Sequence, residues 1–204
     1  MNLKETYNRI AEEWHKDHQA DDWWVAGTDA FIAMLPPGAS VCDVGCGGGT
    51  KAKYLVEKGL RVTGVDLSEQ MVEIASREVP EGAFQVRDLR KTDPLPGTFD
   101  ALFAQAVLLH IPKAEMPAVL ARLSAALKPG GYLYVAVKGK RPDGPDEEIV
   151  EEHDYGYAYQ RFFSFFTQDE MESLLRNAGY DIVKSGQYPE GSPKPWVQVI
   201  GKKI

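Results

Sequence analysis

Apolar positions recur along this chain at two spacings, and the switches between them mark its elements. Leu3, Tyr7, Ile10 and Trp14 follow alternating four- and three-residue steps, the stripe of an amphipathic helix. Trp24, Phe31, Ile32 and Leu35 mark a second helix, which Pro36-Pro37-Gly38 ends. The pattern then changes to a short apolar run at Val41–Val44, suited to a buried strand, and after a glycine-rich turn returns to helical spacing at Lys51–Leu55. Leu60 to Val65 reads as strand two. Ser68 is an N-cap for a helix through Met71, Val72 and Ala75 that stops before Val79-Pro80-Glu81-Gly82, and Ala83 to Arg87 reads as strand three.

Asp93-Pro94-Leu95-Pro96-Gly97 reads as a loop and Phe99 to Ala104 as strand four. Pro117 suits the first turn of a helix whose buried stripe is Val119, Leu120, Leu123 and Leu127; Lys128-Pro129-Gly130-Gly131 stops it before strand five, Tyr132 to Val137. Thr167-Gln168-Asp169-Glu170 matches a capping box for a helix carrying Met171, Leu174, Leu175 and Ala178 up to Gly179. Tyr180–Gly186 and Trp196–Ile200 supply two last strands, linked through Pro189-Glu190-Gly191-Ser192-Pro193 with no helix between them, hence an antiparallel hairpin. Alternating strand and helix predicts an α/β fold with a mostly parallel sheet and right-handed crossovers.

Residues 138–160 depart from this alternation. A basic Pro/Gly portion, Lys138 to Pro145, precedes an acidic one, Asp146 to Asp154, and Tyr155, Tyr157 and Tyr159 then fall at every second position. In an extended chain those three rings share one face. A long aromatic-bearing insertion in a compact domain points to a functional, lid-like segment. Of Phe162, Phe163, Phe165 and Phe166, alternate rings are expected in the core.

At 204 residues, with 44% hydrophobic and 26% charged positions, the chain fits one soluble domain with a full core. A net charge of −7 argues against a broad nucleic-acid surface, leaving a small molecule as the favoured partner. Cys42 and Cys46 have no second pair to complete a zinc site and read as a buried small residue and a loop thiol. His15-x-x-His18 lacks a third ligand and reads as a solvated helix end, so no metal is expected. The start, Met1 to Glu5, lacks a signal peptide's apolar core, and no run is long enough to span a membrane; a cytoplasmic protein is expected. Oligomeric state is not legible.

The chemistry gathers at Asp43-x-Gly45-x-Gly47-x-Gly49. Glycine permits positive φ and lets a ligand lie against main chain, while the following helix start offers unpaired N–H groups. The dinucleotide pattern G-x-G-x-x-G fails at Thr50, and no Gly-Lys-Ser/Thr closes a phosphate loop. Asp66 ends the next apolar run, placed to accept both hydroxyls of a ribose. A nucleoside-bearing ligand without a pyrophosphate is implied.

DVGCGGG followed by VTGVDLS resembles motif I and the acidic loop of class I S-adenosylmethionine-dependent methyltransferases, and the Leu-Lys-Pro-Gly-Gly turn before strand five is similar to theirs. The resemblance implies a single Rossmann-like domain over 1–204: a helical cap at 1–38 and a core at 39–204. The core would hold a seven-stranded, mostly parallel sheet of order 3-2-1-4-5-7-6 with helices on both faces. It implies S-adenosyl-L-methionine as cofactor, near Tyr7, Trp24, Asp43, Gly45, Cys46, Gly47, Gly49, Asp66, Leu67, Met71, Asp88, Leu89, Gln105 and Ala106. Within that set Asp43 would receive the ammonium, Asp66 the ribose and Asp88 the adenine amino group.

Methyl transfer from a sulfonium needs alignment, exclusion of water and sometimes removal of a proton, so no nucleophile motif is required. His110, near the end of strand four, is the first candidate base and acceptor contact, balanced against a helix-end histidine bonded to main chain. His153 is the second. Tyr155, Tyr157, Tyr159 and Arg161 are candidate acceptor contacts: Arg161 for a carboxylate or phosphate, or paired with the acidic run instead, and the rings for a cationic amine. Gln105-Ala106-Val107-Leu108 stands where enzymes acting on a base or amide nitrogen carry Asn/Asp-Pro-Pro-Tyr/Phe. The expected activity is methyl transfer to a small molecule, with S-adenosylhomocysteine as co-product. The alternatives are an inactive cofactor-binding partner or sensor protein and a nicotinamide-dependent oxidoreductase.

Overall fold

The computed structural model describes residues 2–91, 95, 98–188 and 195–204. The expected Pro189–Pro193 link and, Leu95 apart, the Asp93–Gly97 loop lie outside the described residues. Two compact units divide the chain: residues 1–88 with 151–161, and residues 89–150 with 162–204.

The first unit begins with helix α1, Leu3–Asp17, whose N-cap Asn2 accepts from the Glu5 amide at 3.4 Å. Helix α2 spans Val25–Ile32, strand β1 Ser40–Val44, helix α3 Thr50–Glu57, strand β2 Arg61–Asp66, helix α4 Glu69–Glu78 and strand β3 Ala83–Val86. β1 and β2 pair in parallel, Val41 opposite Val62 and Asp43 opposite Gly64, and β2 pairs in parallel with β3. Val41, Cys42 and Val44 are all fully buried, as a strand covered on both faces requires. α3 and α4 pack on β2, and α1 packs on α4 through Ala11, Met71 and Ile74, with Tyr7 and Trp14 against them.

In the second unit strand β4 spans Phe99–Gln105, helix α5 Met116–Ala125, strand β5 Leu127–Lys138, helix α6 Gln168–Asn177, strand β8 Tyr180–Tyr188 and strand β9 Trp196–Lys203. Strands β6, Glu147–Glu152, and β7, Tyr159–Ser164, form a separate two-stranded sheet. β4 and β5 run parallel, whereas β9 pairs antiparallel with both β5 and β8. The large sheet has the order β3-β2-β1-β4-β5-β9-β8. This is the expected Rossmann-like order; the numbering differs because β6 and β7 intervene before the closing strands. Among the described residues no helix is long and apolar enough to cross a membrane.

Four expectations change. Leu127 lies on β5, opposite Phe99, instead of on the stripe of α5, which ends at Ala125; its burial serves the sheet although its spacing from Leu123 is helical. The insertion holds the whole of β6, even though Glu147–Glu152 shows no apolar alternation. The buried phenylalanines are Phe163 and Phe166, not an alternating pair, because β7 stops at Ser164. His15, expected in solvent, is only 5% exposed.

Candidate functional site

β1 delivers the chain into the glycine loop, which is pinned to the next strand: the amides of Gly45 and Cys46 both donate to the Val65 carbonyl, at 2.7 and 3.1 Å. Gly47 and Gly49 have φ of +52° and +88°, and Gly49 caps α3. At Gly48 the constraint is space, since an added Cβ would lie 2.2 Å from His15 Nδ1. The loop is thus shaped by backbone that side chains would strain on one side and block on the other.

Two carboxylates face this backbone. Asp66, at the end of β2, accepts from the amides of Gly47 and Ser68, each at 2.9 Å. Burial still raises its pKa against those hydrogen bonds. Asp43 is 2% exposed, and its Oδ2 has no hydrogen-bond partner. Burial pushes it up to about 7, with Lys51 opposing the shift and Asp66 adding to it. A buried carboxylate short of a donor is costly unless a cation or proton satisfies it.

The cap is stitched to the same region. Asn8 Oδ1 accepts from Ser68 Oγ at 2.6 Å and from the Gln70 amide at 3.3 Å, while its amide nitrogen donates to Glu69 at 2.9 Å. α1 consequently lays Trp14 beside Gly47 and His15 beside Gly48. Trp24 is 3% exposed, packs edge-on against Tyr54 and leaves its indole N–H without an acceptor. Tyr7 is partly buried; burial raises its pKa, and its hydroxyl accepts from Arg161 at 3.4 Å.

Other members of the expected cofactor set have local roles in the same unit. Met71 is buried in the α1–α4 core. Cys46 is buried and unpaired, and burial pushes its thiol well above its ordinary range, as it does that of Cys42. The Leu67 amide joins those donating to Asp66, and Asp88 follows β3.

The expected acceptor residues of this unit engage one another. Arg161 makes a two-pronged pair with Glu152 at 2.5 and 2.6 Å, so the structure pairs it with the acidic run. The three tyrosines do meet, Tyr155 stacked on Tyr159 at 5.7 Å and Tyr157 edge-on to Tyr159 at 6.3 Å. A turn through Gly156, φ +78°, brings them together; only Tyr159 is on a strand. Tyr159 donates to Asp154, and the Arg9 guanidinium covers the Tyr157 face at 3.6 Å. His153 is exposed, with Nε2 3.3 Å from Glu151.

In the second unit β4 ends at Gln105, 5% exposed, with neither amide atom hydrogen-bonded. Ala106 follows at φ +57°, its amide donating to the Ala136 carbonyl at 2.9 Å. His110 closes a 3-10 turn at Leu108–His110 and sets Nδ1 2.7 Å from the Phe162 carbonyl. A carbonyl only accepts, so Nδ1 carries the proton and Nε2 is the basic nitrogen of the neutral ring. Leu89 presents its carbonyl to Arg122 Nε at 2.9 Å. Among the described residues no group of three His, Cys, Asp or Glu is arranged to hold a metal.

An orphaned buried acceptor at Asp43, a second carboxylate oriented at Asp66 and a glycine loop between them suit a ligand with a cationic end and vicinal hydroxyls. Sequence reasoning gave no role to Asn8 or Lys51 and read His15 as solvated. Lys51 alone had a visible signal, a cation in the first turn of a helix, where the macrodipole disfavours positive charge.

A profile described as a methyltransferase domain matches residues 12–185. A ubiquinone biosynthesis O-methyltransferase of Xanthomonas axonopodis pv. citri is 29% identical over 165 residues, 73% of this chain and 65% of that protein. A phosphoethanolamine N-methyltransferase of Triticum aestivum is 32% identical over 164 residues, 76% of this chain but 31% of that protein. The matched segments thus span less than two thirds of either relative's length. Among solved structures, the 1,6-didemethyltoxoflavin-N1-methyltransferase of Burkholderia thailandensis, with bound S-adenosylhomocysteine, superposes at TM-score 0.78 and 24% identity, covering 99% of this chain and 87% of that one. The magnesium protoporphyrin IX methyltransferase of Synechocystis PCC 6803 superposes at 0.74 and 20%, covering 99% and 98%. At these identities the two structures speak for the fold.

Proposed function

From a chain that belongs to the methyltransferase-domain family, we infer S-adenosylmethionine-dependent methyl transfer to a small-molecule acceptor. The observation that carries this reading is the buried, donor-less Oδ2 of Asp43 beside a glycine loop whose other carboxylate, Asp66, is already oriented. When bound, the cofactor supplies a methyl group activated by its sulfonium. Asp43 receives the ammonium of the amino-acid end, Asp66 accepts the ribose hydroxyls, and the glycines let the backbone approach. Tyr7, Trp24, Cys46, Leu67, Met71, Asp88, Leu89, Gln105 and Ala106 complete the proposed cofactor set.

An oxygen and a nitrogen methyltransferase among the relatives are compatible with either acceptor atom in a small molecule. The internal pairing of Arg161, the covering of Tyr157 by Arg9 and the burial of Tyr159, whose hydroxyl donates to Asp154, leave Tyr155 as the proposed acceptor contact of the insertion. His110, oriented through Nδ1, is the proposed base where the acceptor must lose a proton. His110→Ala is expected to lower turnover at least tenfold with cofactor affinity nearly unchanged; unchanged turnover would leave His110 a structural residue.

Calorimetric titration with S-adenosylmethionine and S-adenosylhomocysteine, with NADH as control, tests the reading. Micromolar binding of both adenosyl ligands and none of NADH is expected. A folded protein that binds neither would overturn it.

A further inference from the structure

Phe162-Phe163-Ser164-Phe165-Phe166 is an aromatic run with one hydroxyl in it, and the residue that carries that hydroxyl is fully buried. A buried hydroxyl requires a partner. Ser164 Oγ donates to the Ile111 carbonyl at 2.7 Å; Glu147 Oε1 lies 3.5 Å away, and the single hydroxyl hydrogen goes to the nearer oxygen. Ile111 directly follows His110, so the end of β7 grips the turn that carries the proposed base.

Three consecutive residues make that grip. The Phe162 carbonyl lies 2.7 Å from His110 Nδ1, the Phe163 ring tilts against the imidazole with centroids 5.1 Å apart, and Ser164 holds the carbonyl next along the chain. The far side of the turn is fastened as well. The Lys113 amide donates to Glu147 Oε1 at 2.6 Å, while Lys113 Nζ reaches Asp146 at 2.9 Å and Glu170 at 3.0 Å.

Which ring nitrogen carries the proton decides what His110 can do. A neutral imidazole left to water favours the Nε2–H form, in which Nε2 cannot accept a proton; in a protein the tautomer is set by the hydrogen bond that the other nitrogen makes. Here that bond runs to main chain, which no side-chain substitution removes. The side chain that keeps it in register is Ser164. We propose that Ser164 is a positioning residue: by tying the Ile111 carbonyl to the end of β7 it keeps the Phe162 carbonyl on His110 Nδ1, and so leaves Nε2 unprotonated and able to accept a proton. This rests on the reading of His110 as the base.

The test is the tautomer itself, read from long-range ¹H–¹⁵N spectra of the intact chain at about pH 8, above the ordinary histidine range. The chain has four histidines, and the signals of His110 are assigned by their loss in His110→Gln. Wild-type His110 should show the Nδ1–H pattern. Ser164→Ala is expected to shift the ratio of the two forms about two- to tenfold toward Nε2–H, the range of one neutral hydrogen bond, and Ser164→Thr, which restores the hydroxyl, to return it. Should Ser164→Ala not fold, Ser164→Cys, close in size and a weaker donor, carries the same expectation. An Nε2–H pattern in the wild type, or a ratio unchanged in the Ala and Cys variants whatever their melting temperatures, would overturn the assignment. Unchanged turnover in His110→Ala would instead overturn the base reading beneath it, and leaves the tautomer result as measured.

Discussion

Asp43 shows what a single residue gives up to make this loop. Its ordinary value is 3.8 and burial raises it to about 7, so between those values the native state holds a proton that the unfolded chain has released. Its contribution to stability therefore declines as pH rises through that window. Asp43→Asn removes the ionisation while keeping the shape. Urea melts of the variant should show a flatter stability curve between pH 4 and 7, and at pH 8 its binding of S-adenosylhomocysteine should be at least tenfold weaker. His15 acts in the opposite sense. Burial lowers it from 6.5, so the stability tied to its neutral form is present above that value and declines as pH falls through the folded-state value. Ala106 is a third residue-scale case: a non-glycine at φ +57° is strained, and Ala106→Gly is expected to add about 0.5–1 kcal/mol in the same melts.

At the scale of elements, α1 matters through what fastens it. Asn8 fills the hydrogen bonds of Ser68 Oγ, the Gln70 amide and Glu69, and Ser68 itself caps α4 by accepting from the Met71 amide at 3.1 Å. Asn8→Ala should cost about 1–3 kcal/mol, because Ser68 is fully buried and loses its acceptor. It should also weaken cofactor binding, since α1 carries Tyr7, Trp14 and His15. Lys4→Ala, which breaks an exposed ion pair between α1 and Glu69 of α4, should leave the urea midpoint and ligand binding nearly unchanged. The helix was legible from Leu3, Tyr7, Ile10 and Trp14, because one-sided burial writes a period into the sequence. Its docking was not, because Asn8 is a polar residue whose partners lie on α4. β6 was illegible for a related reason: Glu147–Glu152 is mostly exposed, so no buried face imposes alternation. The partners of Arg161 and Tyr157 are likewise set by the folded chain, through Glu152 and Arg9.

Across the whole molecule the mostly parallel sheet and its antiparallel closing pair followed from the alternation of strand and helix and from two last strands that lack a helix between them, whereas the strand order followed from the family resemblance. The glycine loop and its two carboxylates were legible because their residue types and spacing stand out in the sequence; the donor-less Oδ2 of Asp43 was not, because a missing partner is visible only in three dimensions. A ligand that binds the native fold alone should stabilise the chain by mass action: at 100 times its dissociation constant it contributes about 2.7 kcal/mol. For a chain of this size that is a rise in melting temperature of about 5–10 °C. S-adenosylhomocysteine is expected to produce it in a thermal scan, and Asp66→Ala to abolish most of it.

The proposed ribose role of Asp66 also carries an expectation for selectivity. Because the amides of Gly47 and Ser68 hold its carboxylate in place beforehand, a ligand need not order it, and its remaining lone pairs wait at fixed directions for hydroxyl hydrogens. A sugar without a 2′-hydroxyl would leave that charge short of a donor, which penalises the wrong ligand more than it rewards the right one. In the proposed ribose role, a carboxylate oriented in advance is thus expected to act as a filter against deoxyribose.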